Sequence, residues 1–443
     1  MSTAAMPEFP AGFRWGVSTS AYQIEGGVDE NGRGASIWDT FAHTPGRVAD
    51  GSSGDVACDH YHRHAEDVAL LAGLGVSAYR FSIAWPRVRP TGDGPVDARG
   101  LDFYDRLVDD LLAHGVDPVA TLFHWDLPQA LEDAGGWLNR DTAHRFAEYA
   151  DATAARLGDR VKLWITLNEP FIHMSLGHGT GEHAPGRTLL FDAFPVAHHQ
   201  LLAHGLAVAA LRARTASPVA IANNYSPVRP AGDTDADRAA VAAYEALHNR
   251  LFTDPLFGRG YPAELGFDTA VVRAGDLDVI AAPIDVLGVN YYNPTGVRAP
   301  QEDSPLPFEF VPLDGYPRTA FDWPVAPDGL RELLGWLHRT YADDLPPIQV
   351  TESGCAYDDT PDADGRVHDP ERIAYLDGHL RAVRAAMAEG VDVTGYFVWS
   401  LLDNWEWAEG FTKRFGLVHV DFDTQLRTPK SSYAWFRDLI ARP

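Results

Sequence analysis

The chain has 443 residues, 45% of them hydrophobic, and 36 basic against 62 acidic side chains give it a formal net charge of −26. This acidic excess disfavours nucleic acid or an anionic membrane as a partner, because both are negatively charged. No apolar stretch reaches the length of a membrane span and the first residues lack the pattern of a secretory signal, so a soluble, cytoplasmic protein is expected.

Eight apolar runs of strand length alternate with segments of helical periodicity. The predicted strands are Phe13–Thr19, Ala78–Ile83, Pro118–Phe123, Leu163–Leu167, Pro218–Ala222, Val286–Tyr291, Ile348–Thr351 and Gly395–Leu401. The predicted helices lie near Asp59–Leu74, Leu101–His114, Arg140–Leu157, Phe194–Arg214, Asp237–Phe252, Pro327–Tyr341, Glu371–Glu389 and Ser431–Ala441. Eight strands that are each followed by a helix predict an α/β fold, a closed (β/α)8 TIM barrel, as one catalytic domain over residues 1–443.

The alternative architecture is a doubly wound open sheet. A nucleotide-binding sheet of that kind needs a glycine-rich G-x-G-x-x-G turn after the first strand, and Gly26-Gly27 does not supply it. The Pro- and Asp-rich stretches at 299–318 and 358–370 are interpreted as long strand-to-helix loops around the C-terminal face of a barrel.

Two short stretches, residues 166–170 (TLNEP) and 350–354 (VTESG), each place a glutamate directly after an apolar, β-branched run. Catalytic groups of barrels gather at the C-terminal strand ends, so Glu169 and Glu352 are expected on the same rim. Cleavage of a glycosidic bond requires such a pair of carboxyl groups. A single glutamate of this kind would more often be a surface carboxylate or a helix first-turn residue, so the prediction depends on the pair.

Polar and aromatic residues occur at most of the other predicted strand ends. They suit a sugar, because amide, imidazole and carboxylate groups bond to vicinal hydroxyls and indole rings stack on the apolar face of a pyranose. Taken singly, a tryptophan there would be core packing and Arg80 an ion-pair partner. The residues singled out on this ground are Gln23, Glu25, Arg80, His124, Trp125, Asn168, Asn290, Tyr291, Tyr292, Trp399, Glu406 and Trp407.

Eight dispersed motifs resemble those of glycoside hydrolase family 1, the β-glucosidase family, along nearly the whole chain. They are residues 13–27 (FRWGVSTSAYQIEGG), 79–86 (YRFSIAWP), 123–128 (FHWDLP), 166–170 (TLNEP), 183–186 (HAPG), 288–292 (GVNYY), 400–404 (SLLDN) and 413–417 (KRFGL).

The resemblance implies a retaining β-glycosidase with Glu169 as acid/base and Glu352 as nucleophile. By carry-over, the substrate-binding side chains are Gln23, His124, Trp125, Asn168, Asn290, Tyr292, Trp399, Glu406, Trp407, Phe415 and Trp323, with Arg80 supporting the nucleophile and Phe171 on the leaving-group side. It further implies non-trans peptides at Ala184-Pro185 and Trp399-Ser400. Two departures from the family pattern are Ser353, where an asparagine is common beside the nucleophile, and Trp405, where phenylalanine is common.

The resemblance also narrows the substrate. Family members that act on 6-phosphorylated sugars have residues after strand eight that accept the phosphate, including a lysine. This chain reads NWEWAE (404–409) there, and Glu406 would repel a phosphate, so an unphosphorylated glycone is expected. Glu169 distinguishes the chain from the plant thioglucosidases, which lack this glutamate. The expected partners are small β-glycosides and short oligosaccharides, with β-glucosides, β-galactosides and β-fucosides all open, no cofactor, and the oligomeric state undecided.

Two other functions are weighed against this one. His60, His62 and His64 could suggest a metal-dependent hydrolase, but His62 would point away from the other two on a helix, so no metal site is predicted. A sugar-binding protein without turnover would not need both Glu169 and Glu352. Cys58 and Cys355 are too few for a disulfide framework and are expected to be buried thiols.

Overall fold

The computed structural model describes residues 6–442, in which eight parallel strands form a closed barrel. The barrel strands, numbered here along the chain, are β1 Arg14–Ser18, β2 Ala78–Ser82, β3 Asp117–Phe123, β4 Leu163–Asn168, β5 Val219–Asn224, β6 Val286–Asn290, β7 Ile348–Ser353 and β8 Val393–Trp399. Each strand pairs with the next, and β1 closes the barrel by pairing in parallel with β8. The predicted TIM barrel is therefore confirmed.

One long helix follows each barrel strand. These helices are α1 His60–Leu74, α2 Ala98–Ala113, α3 Asp141–Leu157, α4 Phe194–Arg212, α5 Asp235–Glu245, α6 Pro327–Tyr341, α7 Pro370–Ala388 and α8 Ser431–Ile440. Local signals fix several helix ends: Thr234 and Asp237 form a capping box that begins α5, and Gly75 ends α1 in the left-handed conformation at φ 79°.

The apolar core has two parts. The larger part lies between the barrel and the helices, and a smaller cluster, which includes Val119, Ile165 and Phe397, belongs to the barrel strands themselves. β2, β3, β4, β6 and β7 consist almost entirely of buried residues. Parallel strands covered on both faces have this uniform burial, which explains why their sequences form continuous apolar runs.

Shorter elements elaborate the loops between strands and helices. The short helices are Ala21–Ile24, Ile37–Ala42, Trp85–Val88, Gln129–Asp133, Gly136–Leu138, Pro170–Ile172, Leu190–Ala193, Asp254–Phe257, Ala263–Leu265, Thr269–Val271, Asp276–Ile280, Ala342–Asp344 and Trp407–Thr412, with π-helical turns at His173–Thr180 and Ala246–Arg250. Val228–Pro230, Thr295–Arg298 and Glu309–Val311 form a three-stranded sheet, and Val418–Val420 pairs with Arg427–Pro429. The predicted loop at 299–318 therefore contains one short strand, and 358–370 leads into α7.

Candidate active site

A cavity of about 780 Å³ opens at the C-terminal ends of the barrel strands, and Glu169 and Glu352 both line it. Glu169 directly follows β4, and Glu352 lies in β7, where it pairs with Asn290 at the end of β6. The predicted residues that also line the cavity are His124, Trp125, Tyr292, Trp323, Trp399, Glu406, Trp407 and Phe415.

Hydrogen-bond donors contact both carboxyl oxygens of Glu352. Arg80 Nη1 lies 2.6 Å from Oε1, and Tyr292 Oη donates to Oε2 over 2.8 Å. The same guanidinium bonds through Nη2 to Asn168 Oδ1 at 2.6 Å and through Nε to Thr121 Oγ1 at 3.1 Å. Arg80 and Glu352 are both almost fully buried. Glu352 is thus fixed in position and carries a charge-assisted hydrogen bond to a cation.

The carboxyl group of Glu169 has amide neighbours instead of a cation. Asn290 Nδ2 donates to Glu169 Oε1 over 2.8 Å, and Asn224 Nδ2 donates to the same oxygen over 3.1 Å. Glu169 has a left-handed backbone at φ 43°, which a non-glycine residue rarely adopts. Side chains in such unusual backbone conformations are frequent at functional sites.

The two carboxyl groups differ in their electrostatic surroundings. Burial, reinforced by the nearby charge of Glu352, raises the pKa of Glu169 to about 8. Burial also raises the pKa of Glu352, but there the Arg80 cation and the Tyr292 hydroxyl oppose it. Glu352 is therefore the first of the pair to ionise, and Glu169 keeps its proton at neutral pH.

Polar groups that follow β1, β3 and β8 meet Asn168, the last residue of β4, on one side of the cavity. Gln23 Nε2 donates to Glu406 Oε2 over 3.1 Å and to Asn404 Oδ1 over 3.0 Å. Asn168 Nδ2 lies 3.0 Å from His124 Nε2. Burial, followed by the charge of Arg80, holds the pKa of His124 well below its usual range, so its imidazole is neutral.

Aromatic rings line the cavity from its depth to its mouth. Trp399 is buried at the end of β8 and clusters with Phe415, Tyr292 and Trp323. Trp323 stacks on Phe321 at a centroid distance of 4.4 Å, and Phe321 also lines the cavity. A Cβ on Gly354, just after β7, would lie 1.8 Å from the Trp399 carbonyl oxygen, so the close approach of the two strands here requires glycine.

Six of the strand-end residues singled out from the sequence do not line the cavity, among them Glu25, which accepts a hydrogen bond from Arg87, and Tyr291, which donates to the Ala326 carbonyl oxygen. Gln23, Arg80, Asn168 and Asn290 are at most 1% exposed, and each bonds to a residue that does line it. Their contacts are with Glu406, Glu352, His124 and Glu169 respectively. Phe171 is also absent from the cavity wall, and its ring stacks on His248 at 4.2 Å.

Two cavity-lining residues near Glu169 were not predicted from the sequence. Asn224 ends β5, and a signal for it existed, because the pair Asn223-Asn224 closes the apolar run of that strand. His248 lies in the π-helical turn after α5 and bonds through Nε2 to Asn224 Oδ1 at 2.7 Å. Nothing in the local sequence distinguishes His248 from other helical histidines.

The sequence profile described as "Glycosyl hydrolase family 1" matches residues 5–443. The chain belongs to this family. Sequence relatives also match this chain over nearly its whole length. A "Thermostable beta-glucosidase B" of Thermobispora bispora is 51% identical, covering 98% of this chain and 91% of that protein. A "Bifunctional beta-D-glucosidase/beta-D-fucosidase" of Bifidobacterium breve is 47% identical and covers 98% of each chain.

Among solved structures, the family 1 β-glucosidase of Thermotoga maritima superposes with a TM-score of 0.95 at 44% identity, covering 99% of this chain and 98% of that one. The predicted family is therefore confirmed, and with it the prediction of an enzyme that is a retaining glycoside hydrolase.

Several other predictions can be located in this family 1 hydrolase. The peptides Ala184-Pro185 and Trp399-Ser400 are both cis, as predicted. Ser353 points away from the cavity toward α7, with its Oγ 3.3 Å from the Tyr375 hydroxyl. Trp405 is buried, and its indole N–H donates to Ser52 Oγ over 3.0 Å. Neither of the two departures from the family pattern touches a carboxyl oxygen of Glu169 or Glu352.

The three histidines at the start of α1 do not converge on a common point. His60 bonds to Asp67, His62 to Asp59 and Glu30, and His64 to Asp110. Within residues 6–442, no group of three or more His, Cys, Asp or Glu side chains is arranged to hold a metal ion. Cys58 and Cys355 are buried free thiols, as predicted. No helix in the same range is long and apolar enough to span a membrane.

Proposed function

We propose that the enzyme hydrolyses terminal, non-reducing, unphosphorylated β-D-glycosyl residues, foremost β-glucosides, with Glu352 as nucleophile and Glu169 as acid/base. The observation that carries this proposal is the unequal pair of carboxyl groups in one cavity. Glu352 is bonded to a guanidinium, whereas Glu169 is bonded only to amides and has a pKa of about 8. One group is thereby prepared to attack and the other to donate a proton.

In the first step a carboxylate oxygen of Glu352 forms a bond to the anomeric carbon while the bond from that carbon to the leaving oxygen breaks. The proton of Glu169 moves to the leaving oxygen, which departs as an alcohol. The negative charge of Glu352 is consumed in the ester, so its contribution to the raised pKa of Glu169, which adds to that of burial, disappears, and Glu169 can act as a base.

In the second step Glu169 takes a proton from water, and the water oxygen bonds to the anomeric carbon as the ester bond to Glu352 breaks. Two inversions give net retention of configuration. Direct attack requires carboxyl groups ~5–5.5 Å apart, since a wider gap would hold a water and invert. When the ester bond breaks, Glu352 is again a carboxylate, and hydrogen bonds from Arg80 and Tyr292 stabilise its negative charge.

The polar side of the cavity is proposed to hold the glycone. Gln23 and Glu406, hydrogen-bonded to each other, would bind its hydroxyl groups together with His124, Trp125 and Trp407, above the ring of Trp399. Asn168 has one amide hydrogen directed at His124, and the other is free to donate to the 2-hydroxyl. That contact strengthens in the oxocarbenium-like transition state. Trp323 and Phe415 would line the leaving-group side.

The sequence relatives support a substrate range wider than β-glucosides alone. The Bifidobacterium breve protein is described as acting on β-D-glucosides and β-D-fucosides. Because D-fucose has the galacto configuration, β-galactosides are included in the proposal as further substrates. The residues after β8 (NWEWAE, 404–409) offer the carboxyl group of Glu406 and no lysine to a 6-phosphate, which favours unphosphorylated glycones.

The test is a panel of 4-nitrophenyl β-glycosides with gluco, galacto and fuco configuration, with proton NMR of the first sugar formed. The β-anomer should appear first, and β-glucoside turnover should exceed turnover of the 6-phosphorylated analogue. Initial release of the α-anomer would reject the double displacement.

We also propose that residues 1–443 act as one catalytic domain on small β-glycosides and short oligosaccharides. Cytoplasmic location stays a prediction.

A further inference from the structure

A chain of hydrogen bonds leads from Glu169 along the cavity wall to the buried Tyr244, and the proposed two-carboxylate mechanism does not use it. Asn224 Nδ2 lies 3.1 Å from Glu169 Oε1, Asn224 Oδ1 lies 2.7 Å from His248 Nε2, and His248 Nδ1 lies 2.8 Å from the Tyr244 hydroxyl. Below, these three residues are called the Asn224 relay. His248 and Tyr244 are buried, and Asn224 and His248 line the cavity.

The geometry allows the direction of each bond to be assigned. Burial lowers the pKa of His248 to about 3, so its imidazole is neutral and one ring nitrogen carries the proton. With the proton on Nε2, His248 donates to Asn224 Oδ1 and accepts from Tyr244 at Nδ1. This turns the amide nitrogen of Asn224 toward Glu169, so the carboxyl group receives a donor and not a carbonyl oxygen.

Both amide donors reach the same carboxyl oxygen. Asn290 and Asn224 each donate to Glu169 Oε1, and Oε2 receives no hydrogen bond from the described residues. An oxygen that accepts two N–H groups has carbonyl character in the protonated acid, so the transferable proton belongs on Oε2. Oε2 is then the oxygen available to the leaving group.

We propose that the Asn224 relay is a positioning device for acid catalysis, in which His248 orients Asn224 so that Glu169 carries its proton on Oε2. The inference rests on the proposed role of Glu169 as acid/base. Asn224 and His248 are positioning residues, since they act on the reacting atoms through Glu169. The ring of His248 is itself held in place by stacking on Phe171 at 4.2 Å.

The relay also affects the ionisation of Glu169. The titratable and charged groups around Glu169 come from other strand ends: Glu352, Arg80, Glu406 and Tyr292, together with the neutral His248. Substitution within the relay leaves the first four in place. A donor on Oε1 stabilises the ionised form, so its loss raises the pKa of Glu169 and moves the alkaline limb of activity to higher pH.

The test compares wild type, His248→Phe and Tyr244→Phe on phenyl and 2,4-dinitrophenyl β-glucoside. Phenol is a poor leaving group that must be protonated as it departs. By contrast, 2,4-dinitrophenol is a good leaving group that departs as its anion. In His248→Phe, which keeps a ring against Phe171, kcat/KM should fall at least ~10-fold more for the phenyl substrate, with the alkaline limb moved upward. Tyr244→Phe should give a smaller effect of the same sign. Asn224→Ala, at a half-buried position, provides a second variant that should match His248→Phe.

Glu169→Ala serves as the benchmark. If it shows the leaving-group-dependent loss while His248→Phe and Asn224→Ala lose activity equally on the two substrates, or not at all, the relay inference is overturned and the proposed function stands. If Glu169→Ala itself loses activity equally on both substrates, the acid/base assignment fails first. Phe171→Leu, which removes the ring that holds His248 in place, should show a smaller loss with the same dependence on the leaving group.

Discussion

Arg80 and Glu352 form a buried ion pair, with Nη1 2.6 Å from Oε1, at the centre of the candidate site. The pair connects β2 to β7 across the barrel rim, and Arg80 also bonds to Asn168, the residue before Glu169. One guanidinium thus contacts the proposed nucleophile directly and holds the strand end that carries the proposed acid.

Substitution of Arg80 tests this arrangement. Arg80→Met would leave the Glu352 carboxylate buried without a cation, so its pKa should rise further and the acidic limb of kcat/KM should move to higher pH. We expect a loss of at least ~100-fold in kcat on 4-nitrophenyl β-glucoside, as for removal of one strong electrostatic contact. Arg80→Lys keeps the positive charge but loses the second guanidinium hydrogen bond, to Asn168. Its kcat should therefore lie between those of wild type and Arg80→Met. An unchanged acidic limb in Arg80→Met would contradict the assignment.

The pH dependence of the wild-type enzyme follows from Glu169. Its pKa of about 8 means that the acid is protonated below this pH, so kcat/KM should fall as the pH rises through about 8. Glu406 also has a pKa raised to about 8 by burial, and Glu169→Ala separates the two. The variant should lack the alkaline limb and regain turnover of 2,4-dinitrophenyl β-glucoside with azide. An alkaline limb that persists in Glu169→Ala would assign it to another group.

A second buried charge network concerns stability. Lys430 is fully buried between two carboxylates, Asp359 and Asp403, with Nζ 2.7 Å from Asp403 Oδ1. Lys430→Met leaves both carboxylates without this cation and should lower the free energy of unfolding in urea by ~3–5 kcal/mol. The double variant with Asp403→Asn should recover part of the loss. A change within the measurement error would show that Arg372 and Arg414 suffice for these carboxylates.

Chelation distinguishes the proposed mechanism from metal-dependent hydrolysis. In the proposed mechanism Glu169 transfers the proton and Glu352 is the nucleophile, so EDTA at millimolar concentration should leave the initial rate on 4-nitrophenyl β-glucoside unchanged. His60→Ala removes one of the three histidines that could suggest a metal site, together with its hydrogen bond to Asp67. This variant should retain kcat/KM within about twofold of wild type. A rate that is lost on chelation and restored by a divalent cation would favour the metal-dependent alternative.

The barrel and the carboxylate pair could be predicted because each depends on local sequence. The eight apolar runs reflect strands covered on both faces, and their observed ends differ from the predicted ones by at most two residues, as for β5, which extends to Asn224. Glu169 and Glu352 could be predicted because each directly follows one of these apolar runs in the sequence.

The Asn224 relay could not be predicted in this way. The predicted helix 237–252 is an α-helix only to Glu245, and the π-helical turn that follows aims His248 at Asn224. A change of helical register of this kind has no periodic signal in the sequence. Likewise, Trp323 lies on the irregular segment before α6, so only the family resemblance indicated it.

The identity of the nucleophile is tested most directly with Glu352→Gly, on 2,4-dinitrophenyl β-glucoside in the presence of azide. The variant should be nearly inactive alone, and azide should enter the space left by the carboxylate and produce α-glucosyl azide by a single inversion. Recovery of β-glucosyl azide, or residual hydrolysis close to that of wild type, would mean that another group attacks the sugar.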